Sequence, residues 1–595
     1  MNARSVPVVW LMAVLPAYAG QLHVPAEYPS IQSAMRAAAD GDVVIVSAGI
    51  YEEQIDFLGK AITVQSVASD DAGIVAATVI EWMVPDEPAV RFCSGETRGS
   101  ILRGMTVRGD WISARIVAEG SSPTIEGSRI EGGVNCEGGS PCVRSSSLMW
   151  LGCRESTPEI LSNKFAGWRA AVNADHASPL IVGNEFKNCS QGYSGAVIRV
   201  LEAQSDGGGP IIADNLFESN LSSVIILCDG YMGVVVHGNS IIGNVTDIAM
   251  WVFPHGYPSL VENNVVACNQ WAGELNLNPI AIAGVGCPII SGNTVSCNDM
   301  RGIGGDGLQE MTGNIVVGNV GMGVAASGEG LVFAANTICG NGGLGASLWR
   351  NRLIVEGNVV ADNKGGGMSA AGMLSNNTIV NPAGCVSPAL SCPEGTVRNC
   401  VIASPSSPAI SSQPFSVGVL SLSHNLIAGG RDWVVSNERA TIEWGAGNID
   451  ADPRFVRPGR WDDAGTPEDA SDDIYVPGDY RLLPGSPCID AGTNDVDNPD
   501  TTDVETLPPT DLAGVKRIID GDFSGTATVD IGAYEFLPGD ADGDGRVNLL
   551  DMLRIRNSLG LDPSSSPDAR LADVNGDGSV NMVDLLLARR QFQSR

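Results

Sequence analysis

Along most of this chain apolar residues come two or three together on alternate positions, followed by a small residue, an asparagine and a second alternating run. Pro288-Ile-Ile-Ser-Gly-Asn293-Thr-Val-Ser-Cys-Asn298 gives the phrase in full. Period-two alternation over so few residues predicts short strands joined by a tight turn. Aligning on the asparagine gives Asn163, Asn184, Asn215, Asn239, Asn264, Asn293, Asn314, Asn336, Asn358, Asn377, Asn399 and Asn425, with steps from 19 residues (Asn358 to Asn377) to 31 (Asn184 to Asn215). A repeat of that length signals stacked coils, each unable to bury its apolar face alone. Asn is read as the turn residue, because it tolerates the left-handed conformation, and asparagines of successive coils should hydrogen-bond along a ladder. In the earlier coils Met105 and Ser128 stand at the ladder place. The longer steps mark loop insertions, where binding concentrates.

The opening of the chain follows another period. Ser30 is placed to cap a helix with Ile31, Ala34, Met35 and Ala38 on one face; Asp40-Gly41 ends it, and Val43–Val46 reads as a buried strand. This opening resembles the N-terminal cap of pectinesterase-like β-helices. The coils over residues 20–449 resemble the right-handed parallel β-helix of the pectate-lyase-like and carbohydrate-binding repeat families. The resemblance implies a mainly β fold, a right-handed parallel β-helix solenoid with an N-terminal helical cap. Residues 450–537 change character: Gly478–Gly492 and Val529–Glu535 resemble the C-terminal cap of secreted bacterial β-helix proteins, and are read as closing the last coil.

The tail, residues 538–595, carries the sharpest chemistry. Asp540, Asp542, Asp544, Gly545, Arg546 and Asp551 occupy positions 1, 3, 5, 6, 7 and 12 of an EF-hand-type loop, and Asp573, Asn575, Asp577, Gly578, Ser579 and Asp584 repeat it 33 residues on (573 − 540). Oxygens at 1, 3, 5 and 12 with a backbone carbonyl at 7 suit calcium, and Gly at 6 permits the sharp turn. Each loop runs into a short helix, 549–559 and 582–592. With Asp rather than Glu at position 12 and no full helix before either loop, the pair resembles a dockerin type I module. That resemblance implies two Ca2+ ions and attachment to a cohesin-like scaffold or cell-surface protein. Dockerins of that family often carry Ser/Thr at loop positions 10 and 11; here Leu549-Leu550 and Met582-Val583 stand there, apolar pairs suited to a different cohesin-like partner or to the protein's own cap. So small and acidic a module needs the ion to fold.

Composition narrows the partners. A net charge of −33 disfavours nucleic acid and anionic membrane. Residues 450–537 hold 20 acidic against 6 basic residues, read as a solvated surface or a further calcium site. Residues 1–19, with Arg4, the apolar run Val8–Leu15 and Ala17-Tyr18-Ala19 before Gly20, resemble a signal for export. No segment is long and apolar enough to span a bilayer, so a secreted, extracellular or cell-surface protein is expected. The 14 cysteines then raise the question of disulfides: Cys136 with Cys142, and a pair among Cys385, Cys392 and Cys400, are close in sequence, whereas Cys189, Cys268, Cys297 and Cys339 are read as a buried column of small side chains.

Catalytic residues are harder to read. The Asn-Thr-Asp and Gly-His-Gly motifs of polygalacturonase-type hydrolases do not occur. Counting back from the ladder places Asp175, Asp206, Asp229, His255 and Asp306 at similar points on their coils, a column that could hold calcium and an acidic glycan, with His255 or Arg301 as base. Most of these residues precede glycine, so ordinary turns are the competing reading. Trp168, Trp251, Trp271 and Trp349 flank coils, placed to stack on sugar or to shield the solenoid. Two functions follow: a polysaccharide lyase or glycoside hydrolase carried by its dockerin, or a non-catalytic glycan-binding or surface protein.

Overall fold

The computed structural model describes residues 19–593 except 110–113, 168–169, 204–207, 274–278, 287–288, 351, 413–417, 437–438, 467–472 and 496–506. Trp168, Asp206, Cys287 and residues 1–18 of the expected export signal lie outside the described residues. The chain is mainly β, a parallel β-solenoid of about 18 turns with its C-terminal helices in the tail, and it divides into two compact units, Met1–Lys164 and Phe165–Arg595.

In the first unit, helix α1 (Ile31–Ala37) buries Ile31, Ala34 and Met35, and Ser30 caps it by accepting from the Ser33 amide. Glu53 accepts from the Ile31 and Gln32 amides at 2.8 and 3.0 Å, satisfying two more orphan donors of the first turn. Lys60 Nζ donates to the carbonyls of Met35, Arg36 and Ala38 at 2.7–2.9 Å, so the other end is closed by a cation where the helix dipole favours one. Beneath it, parallel strands run in register through Leu22, Val44, Val64, Leu102, Ile125, Val143 and Ile160. All but Leu22 have no exposed surface. Each such aliphatic side chain contributes roughly 2 kcal/mol of burial. A second short helix, α2 (Ala72–Ala77), is capped by Asp71.

The second unit repeats one coil many times. Ile181, Ile212, Val236, Val261, Ile290, Met311, Phe333, Val355, Leu374, Val397 and Leu422 stack in register on one sheet, buried throughout. Phe165, Phe186 and Phe217 stack on another face with centroids 4.8 and 4.7 Å apart.

The asparagine ladder exists, with two corrections. From Asn184 to Asn377 each Nδ2 donates to the Oδ1 of the next asparagine at 2.9–3.0 Å. Its next place is taken by Cys400, not Asn399: the Cys400 amide donates to Asn425 Oδ1, while Asn399 turns outward to exchange bonds with Thr493. The left-handed residue, moreover, is the one before each ladder Asn, among them Gly183, Asp214, Gly238, Asn263 and Gly292, with φ from 55° to 67°. Kinking the backbone one residue earlier swings the asparagine side chain inward; at Gly292 a Cβ would lie 2.3 Å from Asn263 Oδ1. A second ladder, Asn220, Asn244, Asn269, Asn298, Asn319, Asn341 and Asn363, runs five residues behind the first with bonds of 2.8–3.0 Å.

The cysteine expectations also change. Every described cysteine is free. Cys136 stands in register with Cys153 on the neighbouring strand rather than bonding Cys142. Cys189 heads the second asparagine ladder, and Cys268 and Cys297 are exposed left-handed turn residues one place before Asn269 and Asn298. A buried column of Cys189, Cys268, Cys297 and Cys339 is therefore absent, because the inward place belongs to asparagine.

The acidic segment reaches beyond the last coil. Phe455, Tyr480, Leu482, Cys488, Ile531, Ala533 and Phe536 share a core with Cys339, Val359, Ala361, Val401 and Leu426 on the flank of several coils. Asp362 is the pin: its carboxylate accepts from the hydroxyls of Tyr475 (3.0 Å) and Tyr480, and its carbonyl from Trp461 Nε1 at 2.8 Å. Lys364 pairs with Asp473 at 2.6 Å and lies 4.2 Å over the Trp461 ring.

Candidate functional site

The tail folds as α3 (Leu549–Ser558), α4 (Pro567–Ala572) and α5 (Met582–Gln593), with α3 and α5 close to their expected bounds and α4 unforeseen. In the first loop, single ligand atoms from Asp540, Asp542, Asp544 and Asp551 all lie within 4.8 Å of one another. Loop amides hold them converged. Asp540 accepts from Gly543, Asp544 and Gly545 at 2.7–3.1 Å, and Asp551 from Asp542 and Asn548 at 3.0 and 2.7 Å. The second loop repeats the pattern: Asp573 accepts from Asp577 and Gly578, and Asp584 from Asn575 and Asn581. Burial pushes the Asp540 carboxyl up to about 6 and raises Asp551 and Asp573. So many carboxylates packed together fit a hard divalent cation, with Arg546 and Ser579 able to offer carbonyls at position 7.

Residues 538–593 match the dockerin type I domain family. The tail is that domain. Dockerin type I domains generally bind calcium, and acidic residues cluster in the first loop here. The apolar pairs remain outside: Leu549 and Leu550 are 63% and 60% exposed, Met582 and Val583 57% and 48%, so they do not pack on the protein's own cap. Among the described residues no helix is long and apolar enough to cross a membrane. No curated protein matches the chain. Solved structures similar in part include the periplasmic alginate epimerase AlgG, 13% identical, covering 56% of this chain and 78% of that one with a TM-score of 0.23. A siphovirus 9NA tailspike receptor-binding domain is 11% identical over 73% and 77% with a TM-score of 0.27, and pectate lyase Pel9A is 14% identical over 85% and 91% with a TM-score of 0.16.

On the solenoid, the described candidates Asp175, Asp229, His255 and Asp306 lie at or just past one strand end. Asp175 lies in register with Leu201 and Leu201 with Asp229, so the two carboxylates stand two strand spacings apart, roughly 10 Å. Histidines fill the intervals. His176 Nδ1 meets Asp175 at 3.0 Å and its Nε2 meets Glu202 at 2.8 Å; His255 Nε2 meets Asp229 at 2.7 Å. Phe253 and Tyr231 lie against the His255 ring with centroids 4.2 and 5.0 Å away, and Tyr231 and Tyr257 are exposed. Asp306 pairs with Val285, further along, where it accepts from Ser327 and lies 3.9 Å from Arg350. Arg301 is at the opposite end of the Asp306 strand, roughly 16 Å away. The even column is therefore broken up by Leu201, Phe253 and Val285, since loops of unequal length separate each Asp from its ladder Asn.

Sequence reasoning missed His176 and Glu202. The Asp175-His176 neighbours were visible, but Glu202 joins them only through strand register. Trp251 is half-buried against a small apolar patch, whereas Trp271 and Trp349 are exposed.

Proposed function

We propose that this chain is an exported glycan-acting protein held on a cohesin-bearing scaffold by a dockerin that binds two Ca2+ ions. The dockerin match at 538–593, with carboxylates converged in the first loop and the same hydrogen-bond pattern in the second, supports the attachment. The exposed Leu549-Leu550 and Met582-Val583 pairs give its partner an apolar face to recognise.

The glycan site we place on the ridge from Asp175 to Tyr257. Asp229 orients the His255 imidazole and sets which ring nitrogen carries the proton, the arrangement general acid–base catalysis needs. Exposed Tyr231 and Tyr257 beside it offer rings for a sugar to lie against. A neutral or acidic polysaccharide crossing the coils there would lie against these rings beside His255, with cleavage by hydrolysis or elimination. The rival reading is a non-catalytic glycan binder, favoured by both histidines being engaged with carboxylates that also build turns.

Reducing-end and unsaturated-product assays over acidic and neutral glycans separate these. Cleavage by the parent with a loss of about 10²–10⁴-fold in Asp229→Asn and His255→Ala supports the catalytic ridge. Equal cleavage by all three proteins assigns the ridge to turns, and binding without cleavage favours the rival.

A further inference from the structure

The dockerin here is not hung on a free linker. Leu537 is buried, and so are the two residues after it, Pro538 and Gly539; Leu537 joins one core with Val515 of the cap and Ala541, Val547, Ile555, Ala572, Val574, Val580 and Ala588 of the module, with Ile519 and Phe523 packed against it. Gly539 runs so close to α5 that a Cβ would lie 2.8 Å from Ala588 Cα. Both calcium loops, moreover, touch one cap segment. Gly543, position 4 of the first loop, gives its carbonyl to Arg481 Nη1, while Asp479 holds the rest of that guanidinium. Gly576, position 4 of the second loop, lies so close to the cap backbone that a Cβ would meet the Gly485 nitrogen at 2.8 Å and the Pro484 carbonyl carbon at 3.0 Å. Both glycines have positive φ, 76° and 66°, so each is fitted by backbone conformation as well as by space.

We propose that calcium in the two loops is also a structural ion of the cap: the loops clamp the segment from Asp479 to Gly485 through Gly543 and Gly576, and losing the ion releases that segment. The proposal rests on the calcium reading of the dockerin. Without the ion the converged carboxylates repel one another against the amide bonds that hold them, which loosens the loops, and the two position-4 glycines then no longer present a fixed surface. The Leu549-Leu550 and Met582-Val583 pairs take no part in the clamp and stay exposed. The second contact is made by backbone, and a cavity of about 580 Å³ lined in part by Arg454, Phe455, Asp573 and Gly576 lies beside it.

Hydrogen exchange read by mass spectrometry on the full chain tests this, in calcium and in EDTA. We expect exchange in EDTA to rise about tenfold or more both in helices 549–558 and 582–593 and in the cap segment 479–486. In calcium both the helices and segment 479–486 of the parent should stay protected. Arg481→Ala, which alters the cap alone, should loosen the same segment. Helices that open in EDTA over an unchanged cap segment overturn the clamp and leave the calcium reading standing. Helices unchanged in EDTA overturn the calcium reading, and the clamp with it.

Discussion

Asn293 makes the bonds of a whole coil. Its Nδ2 donates to Val261 O at 2.9 Å and to Asn314 Oδ1 at 3.0 Å, and its Oδ1 accepts from the Asn264 amide and Asn264 Nδ2, both at 3.0 Å. It has no exposed surface, so water cannot replace any of these. Asn293→Ala leaves a buried backbone donor and a buried carbonyl without partners. At about 1–3 kcal/mol for each, a loss of roughly 3–5 kcal/mol is expected in urea unfolding of the full chain. A loss below about 1 kcal/mol would show that relaxation or water satisfies the site.

At the scale of the element, the ladder is strong where asparagines follow one another and weak at its one thiol. Asn377 reaches Cys400 Sγ from its amide at 3.4 Å and from Nδ2 at 3.7 Å, in place of the 2.9–3.1 Å bonds made one coil earlier. Sulfur is a poor acceptor, and one hydrogen bond is worth about 1 kcal/mol net. Cys400→Asn should therefore extend the ladder from Asn377 through to Asn425 and raise stability by about 1 kcal/mol, measured as a shifted unfolding midpoint. A destabilised variant would mean the coil has drawn in around the smaller side chain. Much of this was legible beforehand: the repeat step, the coils and the helix capped by Ser30 follow from spacing. The turn position and Asn399 were misread, because a one-residue offset leaves the apolar pattern unchanged while exchanging which side chain points inward.

For the whole molecule, pH acts through the cap. Burial raises the Asp530 carboxyl to about 8, and raises Glu535, Asp511 and Asp362, while Arg517 Nη1 lies 3.1 Å from Glu535. A carboxyl whose folded pKa exceeds its unfolded one binds its proton more tightly when folded. Its stabilisation is full below about 3.8 and is lost as pH rises through about 8. In saturating calcium, cap stability should therefore fall between pH 5 and pH 8, and fall less in Asp530→Asn. Parallel pH curves for the two proteins would exclude Asp530 as a source. The candidate site belongs to this scale as well: His255 and Asp229 were named from the chain, but their 2.7 Å contact and the His176–Glu202 bridge depend on residues brought together from separate coils.

What the sequence determined by itself is local and periodic. The coil repeat, the helix behind Ser30 and the two oxygen-rich loops each follow from residues a few places apart, whose spacing fixes which groups share a face or a turn. The tertiary structure alone decided the turning of Asn399 to Thr493, the hold of the cap on Asp362 and the meeting of Gly543 and Gly576 with one cap segment. Those contacts join residues from 62 to more than 100 positions apart across loops of unequal length, and no local spacing encodes that distance.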